Sequence, residues 1–351
     1  MTPHLPAFGI CGYSGSGKTT VILELVRLLA AKGLRIGVIK HDVHGLDVDR
    51  EGKDSDRFFR AGADVLMRSQ DELFLRAHRS GDAGLQETLG LLAPYYDLLL
   101  LEGHKTTPLA DKVWLQKDNG ETCPPETINI RRVLRRDEDR AGILLDLLIP
   151  WLHEKCLATP LCAGILIGGS SRRMGRPKQL IAAPDGRTWL ERIAARLPPG
   201  VKQVVLLGSA SVPSPLAHLP LLPDVADREG PLAGMLAAMR WQPGASWLFL
   251  SCDMPLLTAE SLQWVLSHRA PGVRGVLPRR AENEGVEPLP GWYDFRVRQL
   301  LEQCRGPSAL AGYEKIVTPQ IPAEFATAWA NVNTQADLEA LATKTARKDC
   351  T

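Results

Sequence analysis

No two cysteines of this sequence stand at CxxC spacing; the seven, an odd number, are scattered at Cys11, Cys123, Cys156, Cys162, Cys252, Cys304 and Cys350. That excludes a disulfide framework and a zinc motif and fits reduced thiols in a cytosol. An excess of charge of one sign is also missing, since 42 Lys+Arg against 40 Asp+Glu leave a net +2. Such a balance gives no general reason to hold nucleic acid or an anionic membrane. Long apolar runs are lacking too: Leu98 to Leu101 is short, and Ile143 to Leu152 is interrupted by Asp146 and Pro150. Both fall well below the ~20 residues that cross a bilayer. Met1 to Phe8 has no basic segment leading into an apolar stretch, so no export signal is expected and the expected location is the cytoplasm.

What is present is an ordinary globular composition, 44% hydrophobic and 23% charged, on 351 residues. At roughly 100–200 residues per domain that implies two domains. From Ala7 a short apolar run, a glycine turn and a helical stretch, Thr19 to Ala31, lead to a second apolar run, Arg35 to Lys40, with Gly33 where the helix should stop. This is a βαβ opening and predicts a parallel sheet. Leu98 to Leu101 reads as a buried strand with an acid, Glu102, at its carboxyl end. Glu138 to Glu154 has helical spacing and closes the first domain, and Thr159-Pro160 punctuates the chain. The pattern then restarts. Strands are predicted at Ala163 to Ile167, Gln203 to Leu207, Trp247 to Leu250 and Gly275 to Leu277, alternating with helices such as Leu232 to Trp241 and Ala259 to His268.

The first glycine turn, Gly12-Tyr13-Ser14-Gly15-Ser16-Gly17-Lys18-Thr19, fits GxxxxGK[ST] between a strand and a helix. Gly12, Gly15 and Gly17 allow the amides around Ser16 to converge on phosphate oxygens. The helix opening at Lys18, Thr19 and Thr20 adds its positive dipole end. Lys18 would neutralise β- and γ-phosphates, the Thr19 hydroxyl would ligate Mg²⁺, and Glu102 would hold a Mg²⁺-bound water. Taken alone, Glu102 reads equally well as a solvated loop acid. Between these elements lie Lys40-His41-Asp42-Val43-His44, Asp47-Val48-Asp49, Gly52-Lys53-Asp54-Ser55 and Arg60-Ala61-Gly62-Ala63. Their irregular spacing is no zinc motif, and a solvated, nucleotide-facing loop is expected.

The order of these motifs, ending in Leu101-Glu102-Gly103, resembles the MobB family of GTP-binding molybdopterin-guanine dinucleotide proteins over roughly Ala7 to Glu154. The resemblance implies a P-loop NTPase fold and a weak GTPase or GTP-binding adaptor that assists a transferase.

The second glycine turn, Leu166-Ile167-Gly168-Gly169-Ser170-Ser171-Arg172-Arg173-Met174-Gly175-Arg176-Pro177-Lys178, is of another kind. Gly168 and Gly169 bring backbone amides against a nucleotide, while Arg173 and Lys178 supply positive charge for a triphosphate. Transfer of a nucleotidyl group moves negative charge onto departing pyrophosphate, which aimed cations stabilise. Asp253, after the apolar run Trp247 to Leu250, could hold Mg²⁺ between the triphosphate and the attacking group. Cys252 reads as an inert buried thiol. Pro223-Asp224 precedes Gly230-Pro231-Leu232-Ala233-Gly234, a turn that could wall a base pocket.

This set, with Cys252-Asp253-Met254-Pro255, Glu287-Pro288-Leu289 and Asn331-Val332-Asn333-Thr334, resembles the MobA family of molybdenum-cofactor guanylyltransferases over about Gly164 to Leu341. Carried over position by position, the resemblance implies nucleotide contacts from Leu166, Ile167, Gly168, Lys178 and Asp224, with Asp253 binding both nucleotide and Mg²⁺. Asp227 competes for the place of Asp224. Two positions depart from the pattern: Ile167 stands where the family has a small alanine, and Pro177 where it has an aspartate. Met174-Gly175-Arg176-Pro177-Lys178 is similar to the related cytidylyltransferases, whereas Gly230 to Gly234 and Asn331 to Asn333 favour GTP.

The expectation is therefore an α/β chain of two domains, residues 1–157 with a P-loop NTPase fold and 158–351 with a Rossmann-like nucleotidyltransferase fold. The resemblances imply transfer of GMP from Mg·GTP to the molybdopterin-type molybdenum cofactor, with partners among cofactor-insertion enzymes or recipient molybdoenzymes. The alternatives are a cytidylyltransferase, a non-catalytic cofactor carrier joined to a GTP-dependent chaperone, and a sugar-nucleotide pyrophosphorylase.

Overall fold

The computed structural model describes residues 6–40, 49–78, 81–168, 177–281, 284–334, 336–337 and 339. It divides into two compact units, within Leu5–Leu148 and within Ile149–Thr351. Among the described residues no helix is long and apolar enough to cross a membrane.

The first unit carries β1 (Ala7–Cys11), α1 (Lys18–Ala30), β2 (Ile36–Lys40), α2 (Asp54–Arg60), β3 (Val65–Arg68), β4 (Leu73–Arg76), α3 (Gly81–Leu92), β5 (Leu98–Glu102), β6 (Lys112–Leu115) and β7 (Ile130–Leu134). Five strands form a sheet in the order β2-β5-β1-β6-β7, every neighbouring pair parallel. Four consecutive buried leucines open β5, the pattern of a strand covered on both faces by crossover helices. On α1 the buried residues Val21, Ile22, Leu25 and Leu29 make one stripe, and Gly33 (φ 76°) ends the helix as predicted.

The expected nucleotide-facing loop after β2 is different where it is described. His41, Asp42, Val43, His44, Asp47 and Val48 lie outside the described residues, but Asp54 to Arg60 is the helix α2. Its Asp56 is buried and accepts from the Gly52 amide (3.0 Å), Arg60 Nε (2.9 Å) and Arg76 Nη1 (3.1 Å). Arg76 also binds Asp49 (2.9 Å) and lies over the Phe59 ring. These acids therefore hold α2 to the β3–β4 hairpin rather than standing in solvent, since a buried carboxylate must be paired.

The long helix α4 (Arg140–Ala158) starts and ends later than predicted and continues through Pro150. The second unit then carries β8 (Leu161–Leu166), α5 (Trp189–Ala195), β9 (Val201–Leu207), β10 (Leu221–Leu222), α6 (Pro231–Trp241), β11 (Ser246–Ser251), α7 (Ala259–Ser267), β12 (Gly275–Val276), β13 (Gly291–Tyr293), α8 (Arg298–Gln303) and β14 (Ile316–Val317). Its sheet runs β10-β9-β8-β11-β13-β12-β14, and β13 is antiparallel to both its neighbours. Alternation along the strands sends Ala163, Ile165, Leu206, Leu248 and Leu250 to one face, under α5 and α7. Cys162, Val205, Leu207, Trp247 and Phe249 go to the other, against Leu232, Met235, Leu236 and Met239 of α6. Each large side chain buried this way contributes roughly 1.5–3 kcal/mol. Capping boxes start α5 (Thr188 with Glu191) and α7 (Thr258 with Ser261).

Candidate functional site

In the first unit β1 lies between β5 and β6, with Ile10 in register with Glu102. The loop after β1 and the end of β5 therefore open on the same sheet edge, the place where open α/β sheets bind ligands. Gly12 leaves the strand at φ 153°, where a Cβ would meet the Leu115 carbonyl oxygen at 2.6 Å. Only glycine lets the loop pass so close. The loop reaches α1 through Gly17 (φ 88°) and sets Lys18, Thr19 and Thr20 in the helix's first turn. There the free N–H groups and dipole end favour an anion.

Thr19 Oγ1 donates to Glu102 Oε1 at 3.1 Å. The residue expected to ligate Mg²⁺ and the one expected to hold a Mg²⁺-bound water are thus brought together. Lys18 Nζ donates to the carbonyls of Gly12 (3.1 Å) and Tyr13 (2.9 Å). Burial pushes its pKa down, while Glu102 pulls it back up. Ser16 is buried within the loop, its hydroxyl oxygen without a protein partner.

Arg140, at the start of α4, escaped sequence reasoning. Its buried guanidinium donates to the carbonyls of Ser16 (2.6 Å), Gln116 and Leu134, and its Nε to Arg135 O (2.7 Å). It ties the glycine loop to the ends of β6 and β7. Arg136 adds a contact to Gly15 O at 3.3 Å, and Lys105 lies over the Tyr13 ring, 4.4 Å from its centroid.

In the second unit the chain passes from β8 to β9 on one side, while β11 pairs on the other. The carboxyl ends of β8 and β11 thus flank a topological switch point. Leu166 ends β8 in register with Ser251. Ile167 N donates to Leu207 O at 2.9 Å, and Cys252 N to Leu166 O at 3.3 Å. Gly168 faces Gly208 (φ 116°), where a Cβ would stand 2.7 Å from the Gly168 nitrogen. The strand ends are packed backbone to backbone.

Lys178, beginning a single helical turn after Pro177, reaches the end of β11: its Nζ is 3.5 Å from Asp253 Oδ2 and donates to Asn333 Oδ1 at 2.6 Å. Both side chains of the ion pair are mostly buried, at 15% and 22% exposure. Asp253 O accepts from Val332 N (2.9 Å), tying the late Asn331-Val332-Asn333-Thr334 segment to the strand end. Asp337, which sequence reasoning missed, accepts from the amides of Asn333 (2.9 Å) and Thr334 (2.8 Å), and these hydrogen bonds hold its carboxyl below the usual range. Thr334-x-x-Asp337 is a capping-box spacing, the signal that could have found it. Arg196 Nη1 braces the chain beyond Asp253 through the carbonyls of Pro255 (2.8 Å) and Leu257 (2.7 Å).

Asp224 follows β10 at this same edge. A Cβ on Gly168 would lie 3.6 Å from one of its carboxylate oxygens, and one on Gly234 3.2 Å from the other. Though the residue as a whole is exposed, that walling removes water from the carboxylate and raises its pKa. Asp227 instead pairs with Arg228 and Arg240, and its hydrogen bond to Arg240 holds its pKa down. Cys252 is buried, its thiol pushed up to about 12 by desolvation, which leaves it unreactive. Gly169 and Arg173 lie outside the described residues.

Both edges offer oxygen donors and cations suited to Mg²⁺ and phosphate. Among the described residues no three His, Cys, Asp or Glu side chains gather as a metal cage. Mg²⁺ held through one carboxylate and nucleotide phosphates requires none.

Fold and sites define a two-domain α/β nucleotide-binding protein with a P-loop unit followed by a nucleotidyltransferase unit. Residues 7–133 match the family model of molybdopterin guanine dinucleotide synthesis protein B (MobB), and residues 163–323 that of the MobA-like NTP transferase domain. The molybdopterin-guanine dinucleotide biosynthesis adapter protein of Haemophilus influenzae is 34% identical over 171 residues, which cover 44% of this chain and 93% of that protein. A protein of Pelotomaculum thermopropionicum named "Probable molybdenum cofactor guanylyltransferase" is 29% identical over 185 residues, 50% of this chain and 88% of its own length. The molybdenum cofactor biosynthesis bifunctional protein of Synechocystis is 30% identical over 152 residues, 42% of this chain and 43% of that protein. The chain belongs to the MobB family through its first half and carries a MobA-like NTP transferase domain in its second.

Proposed function

We propose that the second domain transfers GMP from GTP to the molybdopterin-type molybdenum cofactor, yielding the guanine dinucleotide cofactor and pyrophosphate. The first domain acts as a GTP-binding adaptor with weak GTPase activity, and the boundary between them lies at 157/158. The observation that carries the reading is the meeting of Lys178, Asp253 and Asn333 at the β8/β11 switch point, directly beyond Leu166, Ile167 and Gly168.

A terminal phosphate oxygen of the cofactor bonds to the α-phosphorus of GTP, and the bond to the oxygen bridging the α- and β-phosphates breaks, its electron pair leaving on pyrophosphate. A phosphate monoester is already an anion at neutral pH, so no strong general base is needed; positioning and charge neutralisation supply most of the rate. Lys178 neutralises the triphosphate, with Arg173 as its companion, while Asn333 holds the Lys178 ammonium in place. The amides of Ile167, Gly168 and Gly169 approach the nucleotide, and Asp224 faces the base. Mg²⁺, when bound by Asp253, neutralises the charge that develops on the phosphates. In the first domain Gly12, Gly15, Ser16, Gly17, Lys18 and Thr20 cradle the phosphates of GTP. Thr19 and Glu102 hold its Mg²⁺ there.

The cofactor is thus a partner as substrate, and the product passes to insertion enzymes or recipient molybdoenzymes, in the cytoplasm. Incubating the loaded molybdopterin cofactor with GTP or CTP and measuring pyrophosphate tests the proposal. Turnover of GTP is expected, and exclusive use of CTP would replace it with the cytidylyl reading.

A further inference from the structure

At the end of the second sheet opposite Lys178 and Asp253, a cleft of ≈ 450 Å³ opens beside the amino ends of β8 and β9. β8 has 6 residues, so roughly 20 Å of strand separates this cleft from the proposed transfer site. Its apolar lining includes Leu157, Leu161, Pro199 and Leu266, with Lys202 and Arg269 as its cations.

Arg269 is the unusual member. The residue is only 7% exposed, and its Nη2 donates to Cys156 O at 3.0 Å near the carboxyl end of α4. That contact has a structural use, since a cation favours the last turn of a helix. It occupies one of the five guanidinium N–H groups. Nε is buried without a partner, and among the described residues no carboxylate lies within ion-pair distance of Arg269. Of the carboxylates, Asp294 is the one that acts on it electrostatically, after the Cys156 thiol, and Asp294 is itself engaged by Arg296 Nε and Nη2 (2.6 and 3.0 Å). The Trp292 ring, with its centroid 5.4 Å from the guanidinium carbon, offers only a face. A buried guanidinium with no carboxylate paired to it is costly, and here it lines an open cleft together with the exposed Lys202.

We propose that this cleft binds a small oxyanion, a phosphate or carboxylate group, held by Arg269 and Lys202, with any apolar body against Leu157, Leu161, Pro199 and Leu266. The paired donors of a guanidinium match the planar oxygens of such a group, and Lys202 adds a point charge at the mouth. A cleft of this size with a half-apolar lining accepts a small organic anion. The site is independent of both nucleotide edges, so it stands or falls without the proposed transfer reaction.

The test uses the full chain carrying Lys18→Ala and Lys178→Ala, which disables both nucleotide loops. Inorganic phosphate, succinate and GMP are titrated separately by calorimetry and by the arginine Nε–H signals in NMR. At least one is expected to bind at one site and to move the Arg269 signal, identified by its loss in Arg269→Lys. The strongest of the three tells free phosphate, carboxylate and nucleotide-borne phosphate apart. Lys202→Glu, an exposed change that should not disturb folding, is expected to weaken binding about fivefold or more, and Arg269→Lys about tenfold. Should Arg269→Lys fail to fold, Lys202→Glu decides. The proposal is overturned if none of the three binds below about 10 mM, or if binding is unchanged by Lys202→Glu.

Discussion

The Lys178 ammonium stands 3.5 Å from the Asp253 carboxylate although 75 residues separate them. A basic loop after one strand and an acid after another become one constellation because β8 and β11 are parallel neighbours whose carboxyl ends share an edge. With Asn333 as third member, the ammonium is held at that edge, where the proposed reaction puts the triphosphate. Lys178→Ala and Asp253→Ala should each lower GMP transfer about 10²–10³-fold, measured as pyrophosphate released with loaded cofactor. Full transfer by Asp253→Ala would remove the catalytic reading and leave a carrier.

Lys18→Ala should abolish GTP binding and hydrolysis by the first domain and leave GMP transfer by the second largely intact. Fluorescent GTP-analogue binding and pyrophosphate release, measured on the same preparation, separate the two. Equal loss of both activities would contradict the division of labour.

Arg140→Ala should destabilise the first unit by on the order of 2–3 kcal/mol, because the Ser16, Gln116 and Leu134 carbonyls lose a charged donor in a buried place. GTP affinity of the first domain should fall with it. Denaturant unfolding and nucleotide titration are the measurements; an unchanged unfolding midpoint would show that the clamp carries little.

Asp224 gives a pH test with a definite sign. Its pKa is raised by burial in the folded chain, so between the ordinary aspartate value of about 3.9 and the raised one the folded state holds more proton than the unfolded state. Stability therefore falls as pH rises through that window. Asp224→Asn removes this fall, so the Tm difference, variant minus wild type, should grow upward from about pH 4 and then level off. If Asp224 also faces the base, the same variant should shift the ratio of GTP to CTP use. A flat Tm difference would mean the carboxylate is solvated as in the unfolded chain.

Read by itself, the sequence determined the α/β class, the restart of the strand, turn and helix pattern, the first glycine loop and the acids at strand ends. Those features are local: period-two and period-3.6 patterning and turn chemistry are written within a few residues. Tertiary structure alone decided what closes each site. Arg140 reaches Ser16 across 124 residues, and Asn333 reaches Lys178 across 155. It also decided the antiparallel insertion of β13 and the helix α2, whose buried Asp56 is explained by donors from Gly52, Arg60 and Arg76. Such contacts leave no period in the sequence, because a buried charge is satisfied by whichever distant donor the fold brings within hydrogen-bond reach.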